Sequence, residues 1–198
     1  MTRPDQSTVS RRSAASSTRT LWWAFAWAVV FTGMHGYWYL GGKVGLGDAP
    51  SPLPGTPTSP GAWLFTIAVA LMFGIGLAAP IALLRVPAGG VSRRLLVALL
   101  WAGCLLLVVR GASGLLDDVV RDLGMSDRGI TGLSYQETLG TAHPSTNTLV
   151  STAIIDGYFF LGGLLYGRAA RSYGPARSLG WRARRASQQG ERVAPDEG

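Results

Sequence analysis

The chain has 198 residues, 47% of them hydrophobic and only 15% charged, with a mean hydropathy of +0.24. Soluble domains carry about 25% charged residues, and here the apolar residues fall into four long blocks, which excludes an ordinary water-soluble enzyme. Eighteen Lys and Arg against eleven Asp and Glu give a formal charge of +7. Those basic residues cluster near the ends of the blocks, so they read as a membrane signature and exclude a nucleic-acid partner.

Residues 1–20 are rich in Ser, Thr and Arg without apolar periodicity, and are expected to form a disordered basic tail along the anionic inner leaflet. Arg11-Arg12 ahead of an apolar stretch has the form of a twin-arginine signal. The run that follows, residues 21–40, is longer than a signal h-region and is followed by no A-x-A site, so it reads as an anchor. It contains no Asp, Glu, Lys or Arg. A hydrocarbon core of about 30 Å needs roughly 20 helical residues, and this block meets that length. The link over 41–61 carries Pro50, Pro52, Pro54, Pro57 and Pro60, which favour an extended, semi-rigid connection.

The second span covers 62–84, again uncharged, and the third covers 95–117 if Arg110 lies within the membrane. Cys104, the single cysteine, falls inside this third block, so the chain has no internal disulfide and no metal-ligand spacing. Beyond it, Leu115, Leu116, Val119, Val120 and Leu123 recur at helical spacing among Asp117, Asp118, Arg121 and Asp122, extending the helix to Gly124. GITGLSYQETLG (129–140) then either folds back as a lid or stays a surface loop. The fourth span, 148–170, is capped by Ser145 or Asn147, and residues 171–198 are expected to form a second disordered basic tail.

Arginine asymmetry sets an orientation. The N-terminal segment, the link after the second span (Arg85, Arg93, Arg94) and the C-terminal tail are basic, whereas 111–147 holds two Arg against five acids. Basic segments stay in the cytoplasm. The expected fold is therefore an all-α, four-helix transmembrane bundle over 21–170, in the cytoplasmic membrane, with both termini inside.

Asp156 is the strongest anomaly, since an acid within a span costs about 2.5–3.5 kcal/mol and should face the bundle or a wet cavity. Gly163 and Gly167 follow on nearly the same face and form a G-x-x-x-G for close helix packing. Arg110 lies roughly 10 Å below the outer end of the third span and Asp156 roughly 12 Å below that of the fourth, so the two are expected to pair. Asp117, two turns along the third span, competes for Arg110, which alternatively snorkels outward. His35, on one face with Trp27, Phe31 and Trp38, lies at similar depth and either binds or shuttles a proton or simply bonds a neighbour.

The segments MHGYWYLGG (34–42), LLLVVRGASGLLDD (105–118) and GITGL (129–133), with Pro80 and Asp156, resemble an uncharacterised family of small four-span bacterial membrane proteins of actinobacterial type, a domain of unknown function. The resemblance covers 21–170. It implies a four-helix integral membrane domain and brings no activity and no catalytic residue.

Two functional readings follow. Either His35, Arg110, Asp117 and Asp156 form an outward-facing polar pocket for a small ligand or lipid headgroup, or the Arg110–Asp156 pair is a clamp in a structural or interaction subunit. A small oligomeric transporter is a further alternative, since four spans need partners to enclose a path. The expected partners are the bilayer, anionic inner-leaflet lipids, and a second copy or another membrane protein. No motif points to an enzyme, a metal or another cofactor.

Overall fold

The computed structural model describes residues 6–47, 58–87 and 90–174. Among these every regular element is a helix: α1 (Gln6–Tyr39), α2 (Pro60–Arg85), α3 (Val91–Asp122), the single-turn α4 (Tyr135–Leu139) and α5 (Thr146–Tyr173). Three of them, α2, α3 and α5, are long and apolar enough to cross a membrane. α1 is not among these; its second half is built on Trp22, Trp23, Trp27, His35, Tyr37 and Trp38, whose polar ring edges make it less hydrophobic than an aliphatic helix.

The first helix starts at Gln6, well before the apolar block, so within 1–20 the expectation of a disordered tail gives way to helix from that residue on. No Pro or Gly interrupts the chain between Gln6 and Thr32, and Ser17, Thr20 and Leu21 are buried, so the helix has packed surface from which to continue outward. The C-terminal tail lies outside the described residues beyond Gly174, as do residues 48–57 of the proline-rich link.

Local chemistry fixes the helix ends. Ser59 caps α2, its hydroxyl accepting from the Ala62 N–H at 3.2 Å, with Pro60 in the first turn. α3 ends at Gly124 (φ +65°), where the Gly124 N–H donates to Arg121 O at 2.9 Å and the Met125 N–H to Val120 O at 3.1 Å. That pair of bonds is a Schellman stop, which glycine adopts without a Cβ penalty. Of the two candidate caps for α5, Ser145 is the one used, accepting from Thr148 N–H at 3.3 Å.

The four long helices pack in a ring, α1 against α2 and α5, and α3 against α2 and α5, with α3 and α5 in the most extensive contact. The buried positions are rich in small residues (Ala24, Ala28, Ala79, Ala169, Ala170, Gly163, Gly167), while Leu64, Phe65, Leu71, Leu105, Leu106 and Val109 are exposed. This distribution is the reverse of a water-soluble bundle and is the one that packing within lipid produces. Gly163 faces the Val108 N–H and Cys104 carbonyl of α3, and Gly167 faces the Cys104 sulfur; a Cβ on Gly163 would stand 2.8 Å from that backbone nitrogen. On α1, Trp27 fills the space left by Gly162, and Trp27 and Tyr158 exchange bonds, Trp27 Nε1 to Tyr158 O and Tyr158 Oη to Trp27 O, each at 3.1 Å.

Pro80 lies inside α2 and has no N–H to offer the carbonyl four residues earlier, Gly76 O. In lipid such an orphan carbonyl is costly. The Tyr166 hydroxyl of α5 reaches across the ring and donates to Gly76 O at 2.7 Å, with Tyr166 itself buried. Tyr166→Phe should therefore destabilise the protein by about 1–3 kcal/mol. In a Pro80→Ala background, where residue 80 again supplies an N–H, the same substitution should cost much less. Reversible denaturation of the four variants in micelles measures this coupling, and equal cost in both backgrounds would show that the tyrosine does not serve the proline gap.

Candidate functional site

The C-terminal half of α3 carries Arg110, Asp117, Asp118 and Arg121 at spacings of seven, one and three, which brings them to one side of the helix. Two polar layers result, one against α5 and one against the segment that follows α3.

In the deeper layer Arg110 Nη1 donates to Asp156 Oδ1 at 2.6 Å. The carboxylate side chain is 8% exposed and the guanidinium side chain 53%, so the acid is enclosed and the base only half covered. The arginine also lies over the Phe159 ring at 5.1 Å, a cation–π contact that covers one face of the guanidinium. Two glycines make the approach feasible. A Cβ on Gly111 would stand 2.5 Å from the Asp156 carbonyl, and one on Gly114 would collide with the Asp156 carboxylate itself.

In the shallower layer Asp117 is the hub. It accepts from Ile130 N–H at 2.6 Å and from Thr131 N–H and Oγ1 at 2.9 and 2.5 Å, and it pairs with Arg121 at 3.3 Å. These bonds fold residues 130–131 back onto α3. Gly129, at φ +59°, packs directly against the carboxylate, so a side chain there would both strain the backbone and strike Asp117. Arg121 then holds the next stretch: its Nη2 donates to Leu133 O at 2.7 Å, Nη1 lies 3.5 Å from Asp118 Oδ1, and its guanidinium carbon sits 4.5 Å from the centre of the Tyr135 ring.

α4 completes the segment. Ser134 and Glu137 form a capping box, and Arg128 bridges to Gly132 O at 2.6 Å and to Glu137 at 3.1 Å. The Ser134 N–H and hydroxyl, then the Arg128 charge, hold the Glu137 carboxyl below the usual glutamate range. Burial pushes the Tyr135 hydroxyl up. Of residues 129–140, Ile130, Thr131 and Leu133 bond back onto α3, and most of the segment lies at the surface. Between this segment, α3 and α5 lies a cavity of about 370 Å³, bordered by Arg110, Asp118, Arg121, Tyr135, Thr152 and Asp156 among others.

His35 does not join this cluster. Its Nδ1 lies 2.9 Å from Phe31 O, and its ring packs among Phe31, Trp38, Phe73 and Phe159. On α1 it faces the aromatic layer, and Phe159 separates it from Arg110. Asp117, weighed from sequence as a competitor for Arg110, is instead engaged by Arg121 and the loop amides. Arg121, Thr131 and Tyr135 were not singled out from sequence. For Arg121 a signal existed, since it stands three and four residues after Asp118 and Asp117, the spacing of neighbours on a helix face. For Thr131 and Tyr135, whose positions depend on the chain reversal, none did.

A family profile described as "Protein of unknown function (DUF3995)" matches residues 28–129, and the chain belongs to that family. The match takes in α3 with Arg110, Asp117 and Arg121, and ends at the glycine packed on Asp117. No curated protein and no solved structure matches the chain.

Replacing Asp117 by Ala strips four donors of their acceptor and leaves Arg121 with only Asp118 as counter-charge. Residues 129–133 should open locally at a cost of about 3 kcal/mol less than in the native protein, which is roughly a hundredfold faster amide exchange there. Asp117→Asn, which keeps one acceptor oxygen, should lie between the two. Hydrogen–deuterium exchange in micelles checks this, and unchanged protection of 129–133 in Asp117→Ala would refute the anchoring role.

Proposed function

We propose that this is a four-span protein of the cytoplasmic membrane, both termini inside, that binds a small polar ligand or lipid headgroup in an outward-facing cavity without a catalytic step. The observation that carries the reading is the cavity itself. Its volume of about 370 Å³ falls in the range of small-molecule sites, and its walls carry charged groups at a depth where charge is expensive and therefore uncommon without a role.

For the fourth span, the support is the uncharged stretch 21–40 together with the buried Leu21, Ala24, Trp27 and Phe31, which make α1 an integral wall of the ring. The orientation rests on the arginines: Arg85 ends α2 and Arg93 and Arg94 lie at the start of α3, whereas the cavity segment is acidic. Reporter fusions at residues 55, 90 and 135 test it, with an inside signal expected only at 90. In a Cys104→Ala background, Ser113→Cys on the cavity wall should react with a membrane-impermeant maleimide in intact cells. Labelling only after lysis overturns the orientation, and no labelling in micelles overturns the open cavity.

A second reading, the clamp in a structural or interaction subunit, is favoured by how tightly Gly111 and Gly114 fit the Asp156 region. The charge-swapped variant Arg110→Asp with Asp156→Arg separates the two. Under the clamp reading it should regain the abundance and thermal stability that either single variant loses, together with any cellular role. Abundance regained while the cellular role stays lost favours the cavity.

A further inference from the structure

The charges on the cavity wall do not cancel: two arginines, Arg110 and Arg121, face three aspartates, Asp117, Asp118 and Asp156. Asp117 is fully engaged by Arg121 and the loop donors. Asp156 commits Oδ1 to Arg110, and among the described residues Asp118 takes only the 3.5 Å contact from Arg121. Carboxylate oxygens on this wall are thus left with room for donors. On the other side, the Arg110 side chain is 53% exposed and, among the described residues, commits only Nη1, to Asp156, so the rest of its guanidinium is open to an acceptor. Arg110 borders the cavity together with Asp118 and Asp156.

We infer that the cavity takes a zwitterion, an ammonium joined through a short linker to an anionic oxygen group, with the ammonium toward Asp118 and Asp156 and the anionic oxygens toward the open edge of Arg110. This deepens the binding role proposed above and rests on it. A simple cation would meet the carboxylates but leave the open edge of Arg110 without an acceptor. A simple anion would add to an existing excess of carboxylate. A ligand carrying both groups satisfies both sets of wall atoms, and recognition by opposed charges discriminates against molecules lacking one of them.

Such a ligand has two sources. It is either a free solute or the headgroup of an aminophospholipid of the outer leaflet. The second arises because Leu123, Met125, Ile130 and Leu133 are exposed around the segment that roofs the cavity, giving it an apolar rim suited to the headgroup boundary.

The test uses the full-length protein in detergent micelles and three soluble probes: O-phosphoethanolamine, methyl phosphate and methylammonium. Calorimetric titration should show O-phosphoethanolamine binding at least about tenfold more tightly than either half-molecule. Asp118→Asn should reduce that preference, with circular dichroism and gel filtration confirming that the variant is folded. In a second arm, the protein in phosphatidylcholine nanodiscs is compared with and without phosphatidylethanolamine. Loss of O-phosphoethanolamine binding when phosphatidylethanolamine is present assigns the lipid as source, and unchanged binding assigns a free solute; both support the zwitterion. Equal binding of methyl phosphate, or of methylammonium, overturns it in favour of an anion or cation site. Binding of none of the three, with phosphatidylethanolamine also failing to raise thermal stability in nanodiscs, overturns it as well. In that last case Ser113→Cys labelling reports separately whether the cavity is open, so failure of the ligand class is distinguishable from failure of the binding role.

Discussion

Gly111, Gly114, Gly163 and Gly167 remove the side chains that would otherwise hold α3 and α5 apart, and the polar half of the molecule depends on the resulting approach. With a methyl group at position 114 the Asp156 carboxylate would lose its place beside α3, and with one at 111 the α5 backbone itself would be displaced. Lipid tails are as apolar as leucine, so no hydrophobic force drives these helices together, and contact distance decides how strongly they associate. The same closeness brings Arg110 to Asp156 and forms the floor of the cavity. Packing and charge are in this sense one arrangement: the glycines shape it, and the ion pair removes the penalty of an isolated acid at that depth.

The opposite half of the ring solves a different problem. Pro80 interrupts the hydrogen-bond ladder of α2, and Tyr166 of α5 answers the vacant Gly76 carbonyl. Trp27 and Tyr158 tie α1 to α5 by a reciprocal pair of bonds. α5 therefore reaches all three other long helices, through its glycine face to α3, through Tyr158 to α1 and, across the ring, through Tyr166 to α2.

Much of this could be read from the residues, and what could not has a physical reason. Helical rise converts residue number into depth, so counting from the span ends already puts Arg110 and Asp156 at similar heights, and the structure has them 2.6 Å apart. Rotation about the axis is less legible. His35 shares that depth yet turns toward Phe31, Phe73 and Phe159, because an aromatic layer on the other side of the ring offers it packing. The hub at Asp117 was harder still. Its ligands are two loop amides and a threonine hydroxyl beyond Gly129, and amide donors carry no sequence signature. The start of α1 at Gln6 shows the converse limit, since a polar segment continues a helix that is stabilised further along, and composition by itself does not reveal it.

The bonds that hold Ile130, Thr131 and Leu133 all run to Asp117 and Arg121, two residues of one helix. The covering stretch is thus a visor riveted along one edge, carried by α3 as a passenger wherever that helix goes. Its far edge looks across at Thr152 and Ile155 of α5. If α5 slides or tilts against its neighbour, the gap on that side changes while the rivets keep their lengths. The width of that gap then follows the spacing of two rods, while the other edge stays fixed by its bonds to α3.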